Sequence, residues 1–194
     1  MSSRSILGAG SWGPGASVRP AAGAMADPIG PHAHELPHEV RVGLRADLAK
    51  DAGQVAACVR VGAARQPVLL LGLEASRPEN AEAVRRLLTK FPMATIQTFE
   101  AAGVLSRALV NCFVGRVGLF RNQPGDELLR AADLVVTVGF SPVEYDPEVW
   151  NADDSLEIVH IDSVRMDVGY NYRPSIELTG SISATLDEFT ERIP

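Results

Sequence analysis

The run Pro67-Val68-Leu69-Leu70-Leu71-Gly72 has no polar residue at any position between its ends. A strand alternates its side chains between two faces, so this one needs apolar cover on both sides. A parallel sheet between two helical layers supplies that cover. Leu134-Val135-Val136-Thr137-Val138-Gly139 repeats the pattern, as does Glu157-Ile158-Val159-His160-Ile161-Asp162, while Ala94–Phe99 and Ile176–Gly180 are shorter candidates. Helical periodicity fills the gaps. Val55, Cys58, Val59 and Gly62 fall at i, i+3, i+4, i+7 and predict one buried face; Val84, Leu87, Leu88 and Phe91 predict a second. Ser76-Arg77-Pro78-Glu79 reads as a capping box in front of that second helix. Pro124 opens a short helix with Asp126 and Glu127 in its first turn, where negative charge suits the helix dipole. Ser181 caps a last helix whose Ile182, Leu186, Phe189 and Ile193 share a face. Strands alternating with helices give an α/β three-layer sandwich with a mainly parallel, Rossmann-like sheet. The stretch from Glu100 to Asn122 is irregular and receives no element.

The first part of the chain lacks either periodicity. Gly, Ala, Pro and Ser crowd it, and such a segment buries too little apolar surface to offset an ordering entropy of roughly 1–2 kcal/mol per residue. The expected organisation is a disordered leader over residues 1–43 and one domain over 44–194. No apolar run approaches the ~20 residues of a membrane span. The net charge is −6 with no basic cluster, which argues against nucleic-acid and membrane partners. The two cysteines, Cys58 and Cys112, make neither a zinc spacing nor a disulfide framework, and no signal peptide is evident. A reducing cytoplasm is the expected compartment.

Several motifs invite chemistry. Gly8-Ala9-Gly10-Ser11-Trp12-Gly13 matches G-x-G-x-x-G, but no strand precedes it and Pro14-Gly15 follows, so it lacks the setting of a dinucleotide site. His32, His34 and His38 sit near Asp27 and Glu35 without the scaffold that a metal site needs. Cys58 reads as a small buried hydrophobe, and Cys112 has no histidine nearby in sequence to activate it. Glu144 and Asp146 follow the strand that ends at Gly139, and read either as an acid–base pair or as solvated loop charges. His160 and Asp162 share one face of their strand; Asp162 could meet a ribose or cap the loop that follows. Gly115-Arg116-Val117-Gly118-Leu119-Phe120-Arg121-Asn122-Gln123-Pro124-Gly125-Asp126 gathers glycines, arginines and amides before a helix N-terminus, a place suited to an anion.

This last segment carries a family resemblance. With Gln66–Leu73, Arg77-Pro78-Glu79-Asn80, Glu100-Ala101-Ala102-Gly103, Ala132-Asp133-Leu134, the run Gly139–Pro147 and Trp150-Asn151, it resembles the central domain of catabolic acetolactate synthases, which are thiamine-diphosphate-dependent. The resemblance runs from Gln66 to about Ile193. It implies an intact enzyme that condenses two pyruvates to 2-acetolactate with loss of CO₂, using thiamine diphosphate and Mg²⁺, usually as a homotetramer. The glutamate that activates the thiazolium belongs to a preceding domain and the Gly-Asp-Gly…Asn motif to a following one. This sequence has no Gly-Asp-Gly, and the region before Gln66 is too short for the first domain. The chain alone is therefore expected to be inactive, its partners being the missing domains or a full-length synthase, with a homo-oligomer as the expected assembly.

By the same resemblance Arg121, Asn122 and Gln123 form a loop near the active-site mouth and are the expected substrate-binding residues. Gly139 and Asp162 match positions facing a nucleotide in related enzymes and are the expected cofactor-binding residues. The loop Phe140–Pro147 departs from the FAD pattern, so no FAD is expected. Two alternatives stand beside this reading: a stand-alone nucleotide- or anion-binding module using Gly139 and Asp162, and a regulatory fragment that joins tetramers of a full enzyme.

Overall fold

Burial alternates along the first strand as its residues require. In β1 (Pro67–Leu71), Leu69 and Leu71 enter one apolar cluster while Val68 and Leu70 enter the other, and all four are fully buried. Each such side chain is worth about 1.5–3 kcal/mol on leaving water. In this computed structural model, which describes residues 38–121, 123–166 and 169–193, β1 lies inside a six-stranded sheet. The other strands are β2 (Ala94–Thr98), β3 (Phe113–Val117), β4 (Leu134–Val138), β5 (Glu157–Asp162) and β6 (Ile176–Thr179). The order is β3-β2-β1-β4-β5-β6, and every neighbouring pair is parallel.

One face of the sheet is covered by α1 (His38–Ala63), α2 (Pro78–Lys90) and α4 (Ile182–Arg192), whose Ala57, Val84, Leu87, Leu186 and Phe189 are fully buried against it. A paired hydrogen bond from the Arg86 guanidinium to the Asp187 carboxylate, both at 2.9 Å, ties α2 to α4. The other face carries α3 (Pro124–Ala131) and an aromatic group of Phe140, Trp150 and Tyr172, with ring centroids 5.7–6.4 Å apart. At the amino edge the Asp133 carboxylate accepts the Arg65 and Gln66 N–H groups at 2.8 and 2.9 Å, fastening the entry of β1 beside that of β4. Those two donors hold the Asp133 carboxyl below the ordinary carboxylate range.

Four expectations change. Helix α1 starts at His38 and so takes residues 38–43 out of the span assigned to the leader; the remainder of that span, with the glycine motif and His32 and His34, lies outside the described residues. The buried face of α1 is Gln54, Ala57, Cys58 and Val61, whereas Val55 and Val59 are 47% and 62% exposed. This helix is apolar on two sides, and periodicity selected the outer one. The expected capping box does not form: Ser76 Oγ donates to the Leu73 carbonyl, Arg77 stands at the N-cap, and Asn80 Nδ2 reaches back to the Glu74 carbonyl at 2.8 Å. Leu73–Ser76 forms a 3₁₀ turn instead, which absorbs the serine. Finally, β3 occupies part of the stretch read as irregular. It is an edge strand with Val114 and Arg116 exposed, so its burial alternates and its sequence shows no continuous apolar run.

Candidate functional site

Parallel strands release their loops at one edge, and open sheets take ligands where the strand order reverses. In this fold that point lies between β1 and β4. The two loops leaving it touch directly. Gly72 N–H donates to the Val138 carbonyl at 3.0 Å, and Glu74 N–H donates to the Gly139 carbonyl at 3.1 Å. Gly139 has φ +56°, and a Cβ there would lie 2.5 Å from the Ala75 nitrogen. Its Cα therefore abuts the 3₁₀ turn.

Above this contact sits Glu144, whose carboxylate takes three donors. Oε2 accepts Leu73 N–H at 2.9 Å and the Thr98 hydroxyl at 2.7 Å, while Oε1 accepts Ser141 N–H at 3.0 Å. Asp146 acts separately: its Oδ1 accepts Glu148 N–H at 3.0 Å and caps the short turn Pro147–Val149. The two carboxylates thus hold backbone, each in its own place, and form no acid–base pair.

The glycine-rich segment lies against the same loop. Gly118, at φ +111°, brings its Cα over the Glu144 carbonyl, where a Cβ would come within 2.8 Å. Seven residues on, Gly125 lets α3 approach β3; a Cβ there would meet Val117 Cγ1 at 2.7 Å. Asp126 is fully buried in the first turn of α3, accepting Gln123 N–H at 2.8 Å and the Tyr145 hydroxyl at 2.5 Å. Burial and the adjacent carboxylate push the Tyr145 phenol well above its ordinary range. The helix N-terminus expected to seat an anion is thus served by the chain's own carboxylate. With its amide oriented to match donors with acceptors, Gln123 also donates to the Arg116 carbonyl at 2.9 Å, so it closes the loop on itself. Arg121 is exposed beside Leu119 and Phe120, and Asn122 lies outside the described residues.

At the far side, Asp162 Oδ1 accepts Ser163 N–H at 2.5 Å and the Ser163 hydroxyl at 3.1 Å, which caps the loop after β5. His160 Nδ1, the Thr137 hydroxyl and the Tyr172 hydroxyl form a closed triangle with sides of 3.0, 2.7 and 2.9 Å. Nothing local in the sequence signals this triangle, because its members come from two strands and a loop. Burial holds the His160 imidazole below its ordinary value near 6.5, with Asp162 and Glu177 opposing in part. The unfolded chain therefore binds the proton first as pH falls. Thermal melts are expected to be level from about pH 8 down to about pH 6.5 and to fall just below it, with a slope of at most ~1.4 kcal/mol per pH unit. His160→Gln should remove that slope; an unchanged slope would refute the assignment. Cys58 is buried with its thiol raised by desolvation, and Cys112 is buried immediately before β3, so neither presents a nucleophile.

Residues 55–189 match the family described as the thiamine pyrophosphate enzyme central domain. The chain belongs to that family. Acetolactate synthase from Bacillus subtilis is 44% identical over 146 residues, a match covering 71% of this chain and 26% of that protein. A catabolic acetolactate synthase from Raoultella terrigena is 47% identical over 133 residues, covering 69% of this chain and 24% of that protein. The X-ray structure described as a thiamin diphosphate-dependent enzyme from Mycobacterium smegmatis shares the fold, with a TM-score of 0.54 at 20% identity over 73% of this chain and 27% of that one. The chain thus spans about a quarter of the length of the curated relatives it matches.

The family implies thiamine diphosphate, and the residues present do not suit it. Among the described residues no three His, Cys, Asp or Glu side chains converge as a metal cage. The polar atoms that meet between β1 and β4 are bonded to one another. No chemical step through that cofactor is assigned to these residues. No described helix is long and apolar enough to cross a membrane.

Proposed function

We propose that this chain serves as the central domain of an acetolactate synthase. Joined to the cofactor-binding domains, it would take part in condensing two pyruvates to 2-acetolactate and CO₂ with thiamine diphosphate and Mg²⁺, in the cytoplasm and towards acetoin. The observation that carries this reading is the 44–47% identity to two acetolactate synthases over 146 and 133 residues. Its role is architectural: the catalytic groups belong to the domains beyond it. Two exposed apolar surfaces support that role. One is the outer face of α1, with Leu48, Val55 and Val59; the other is the carboxyl-edge rim of Leu73, Leu119, Phe120, Val143 and Val164. Apolar surface gathered in this way marks an interface, and its occupants in this reading are the other domains of the synthase and further copies of it. Arg121, Asn122 and Gln123 sit next to that rim in sequence and are the proposed approach to the active-site mouth. Gly139 and Asp162, engaged with neighbouring backbone, are left without a cofactor role, and no FAD is proposed.

The test is a chimera in which residues 55–189 replace the matching span of the Bacillus subtilis enzyme. Acetolactate formation within about tenfold of the parent, a barrier difference of ~1.4 kcal/mol, is expected. Alanine at Asn122 and Gln123 in the chimera should lower kcat and leave cofactor affinity intact. The isolated chain should show no heat of binding with thiamine diphosphate and Mg²⁺. A folded, cofactor-loaded chimera without turnover would sink the proposal, as would micromolar cofactor binding by the chain alone.

A further inference from the structure

We propose that the carboxyl ends of β2, β1 and β4 form a built oxyanion site, and that the Glu144 carboxylate is its resident, intramolecular ligand. Three donors converge from three separate segments: the Thr98 hydroxyl at the end of β2, Leu73 N–H after β1 and Ser141 N–H after β4, at 2.7, 2.9 and 3.0 Å. Thr98 is itself aimed, because its hydroxyl accepts Ala101 N–H at 3.3 Å while donating to Glu144. Glu144 has no Lys or Arg partner among the described ion pairs. Its charge is met by two backbone amides and a hydroxyl, the donor set that protein loops offer to phosphate and carboxylate anions. The place is the reversal of strand order, where an open parallel sheet accepts a ligand from outside.

Glu144 reaches this seat from the opposite loop through a turn in which its own N–H donates to the Ser141 carbonyl at 2.9 Å. The Gly118 Cα covers the Glu144 carbonyl from above. One residue thus completes the donors of three loops and supports the glycine-rich segment. The ligand class of the emptied seat is a small oxyanion, formate or inorganic phosphate. A consequence is that the intact chain has no vacant anion seat at this crevice. This inference concerns the chain by itself and stands whether or not the synthase reading holds.

The experiment compares the full chain with Glu144→Ala and Glu144→Gln in thermal melts. Sodium formate or sodium phosphate is titrated against sodium chloride at matched ionic strength. Glu144→Ala should melt lower in chloride and recover about 4 °C or more in formate or phosphate, as mass action on a folded-state site requires. Wild type and Glu144→Gln, whose seats stay filled, should show no such difference between salts. Formate acting alone would limit the seat to carboxylates; both acting would extend it to phosphates, and either supports the proposal. An equal response in all three proteins, or none in a folded Glu144→Ala, overturns it. Should Glu144→Ala be unfolded in chloride, recovery of far-ultraviolet circular dichroism in formate supports the site. Continued unfolding in formate, with Glu144→Gln folded, overturns it.

Discussion

Replacing Gly72 by alanine should cost the domain about 3 kcal/mol and lower its thermal midpoint by roughly 6–12 °C. The residue is not in a left-handed conformation, having φ −105°, so the effect comes from crowding alone. A Cβ would press on the Gly139 carbonyl oxygen and the Phe140 Cα, and would lie 2.7 Å from Glu144 Oε1. Two of the three neighbours are backbone of β4's exit, fixed by Gly72 N–H and Glu74 N–H, and cannot rotate away. Gly103→Ala is the matched control: its φ is +94° but nothing lies within 4 Å of a Cβ, so only the conformational cost of about 1 kcal/mol applies. Urea titration of both variants decides the matter. Equal losses would mean that the two loops do not meet as closely as their hydrogen bonds require.

The second large effect is expected at Asp126. Its carboxylate is fully buried and serves Gln123 N–H and the Tyr145 hydroxyl, so Asp126→Ala leaves both donors without a partner. Orphaned buried donors cost about 1–3 kcal/mol each, and a loss of about 3 kcal/mol is expected overall. Tyr145→Phe should lose about 1.5 kcal/mol, because Asp126 keeps its amide donor. The double variant should lose clearly less than the sum, with a coupling of about 1 kcal/mol or more. Strict additivity in urea denaturation would show that the phenol and the carboxylate do not meet. This bond joins the two stretches that most distinguish the chain, Gly115–Asp126 and Gly139–Pro147, into one unit.

The sheet was largely legible because its central strands must be apolar on both faces. Val68–Leu71 and Leu134–Val138 admit no other reading once length rules out a membrane span. β3 was not legible for the opposite reason. An edge strand half open to water can carry Arg116 and Gly115 at no penalty, so nothing in Phe113–Val117 demands burial. α1 misled through excess signal, since apolar residues line both its sheet side and its outer side. Of the site, the loops were legible by position at the carboxyl edge, but the partners of Glu144, Asp126 and His160 were not. Each of those contacts closes between segments far apart in sequence, and a carboxylate bonded to Leu73 and Thr98 reads the same in one dimension as a solvated one.

The register of β1 has a kinetic consequence. On one side it pairs with β2, Val68 opposite Ala94, across α2; on the other it pairs with β4, Pro67 opposite Leu134, across α2, β2, β3 and α3. Loop-closure entropy rises with the span, so the β1–α2–β2 unit is the cheaper one to assemble, and it emerges first from the ribosome. Until β4 arrives, the most apolar of the described strands holds one edge of unpaired amides and carbonyls open. Refolding should therefore be slow for a domain of this size, in the range typical of non-local parallel pairings, and most vulnerable to strand-to-strand association during that interval. The Gly72–Val138 and Glu74–Gly139 bonds cannot form before β4 docks, so they mark the end of that exposure.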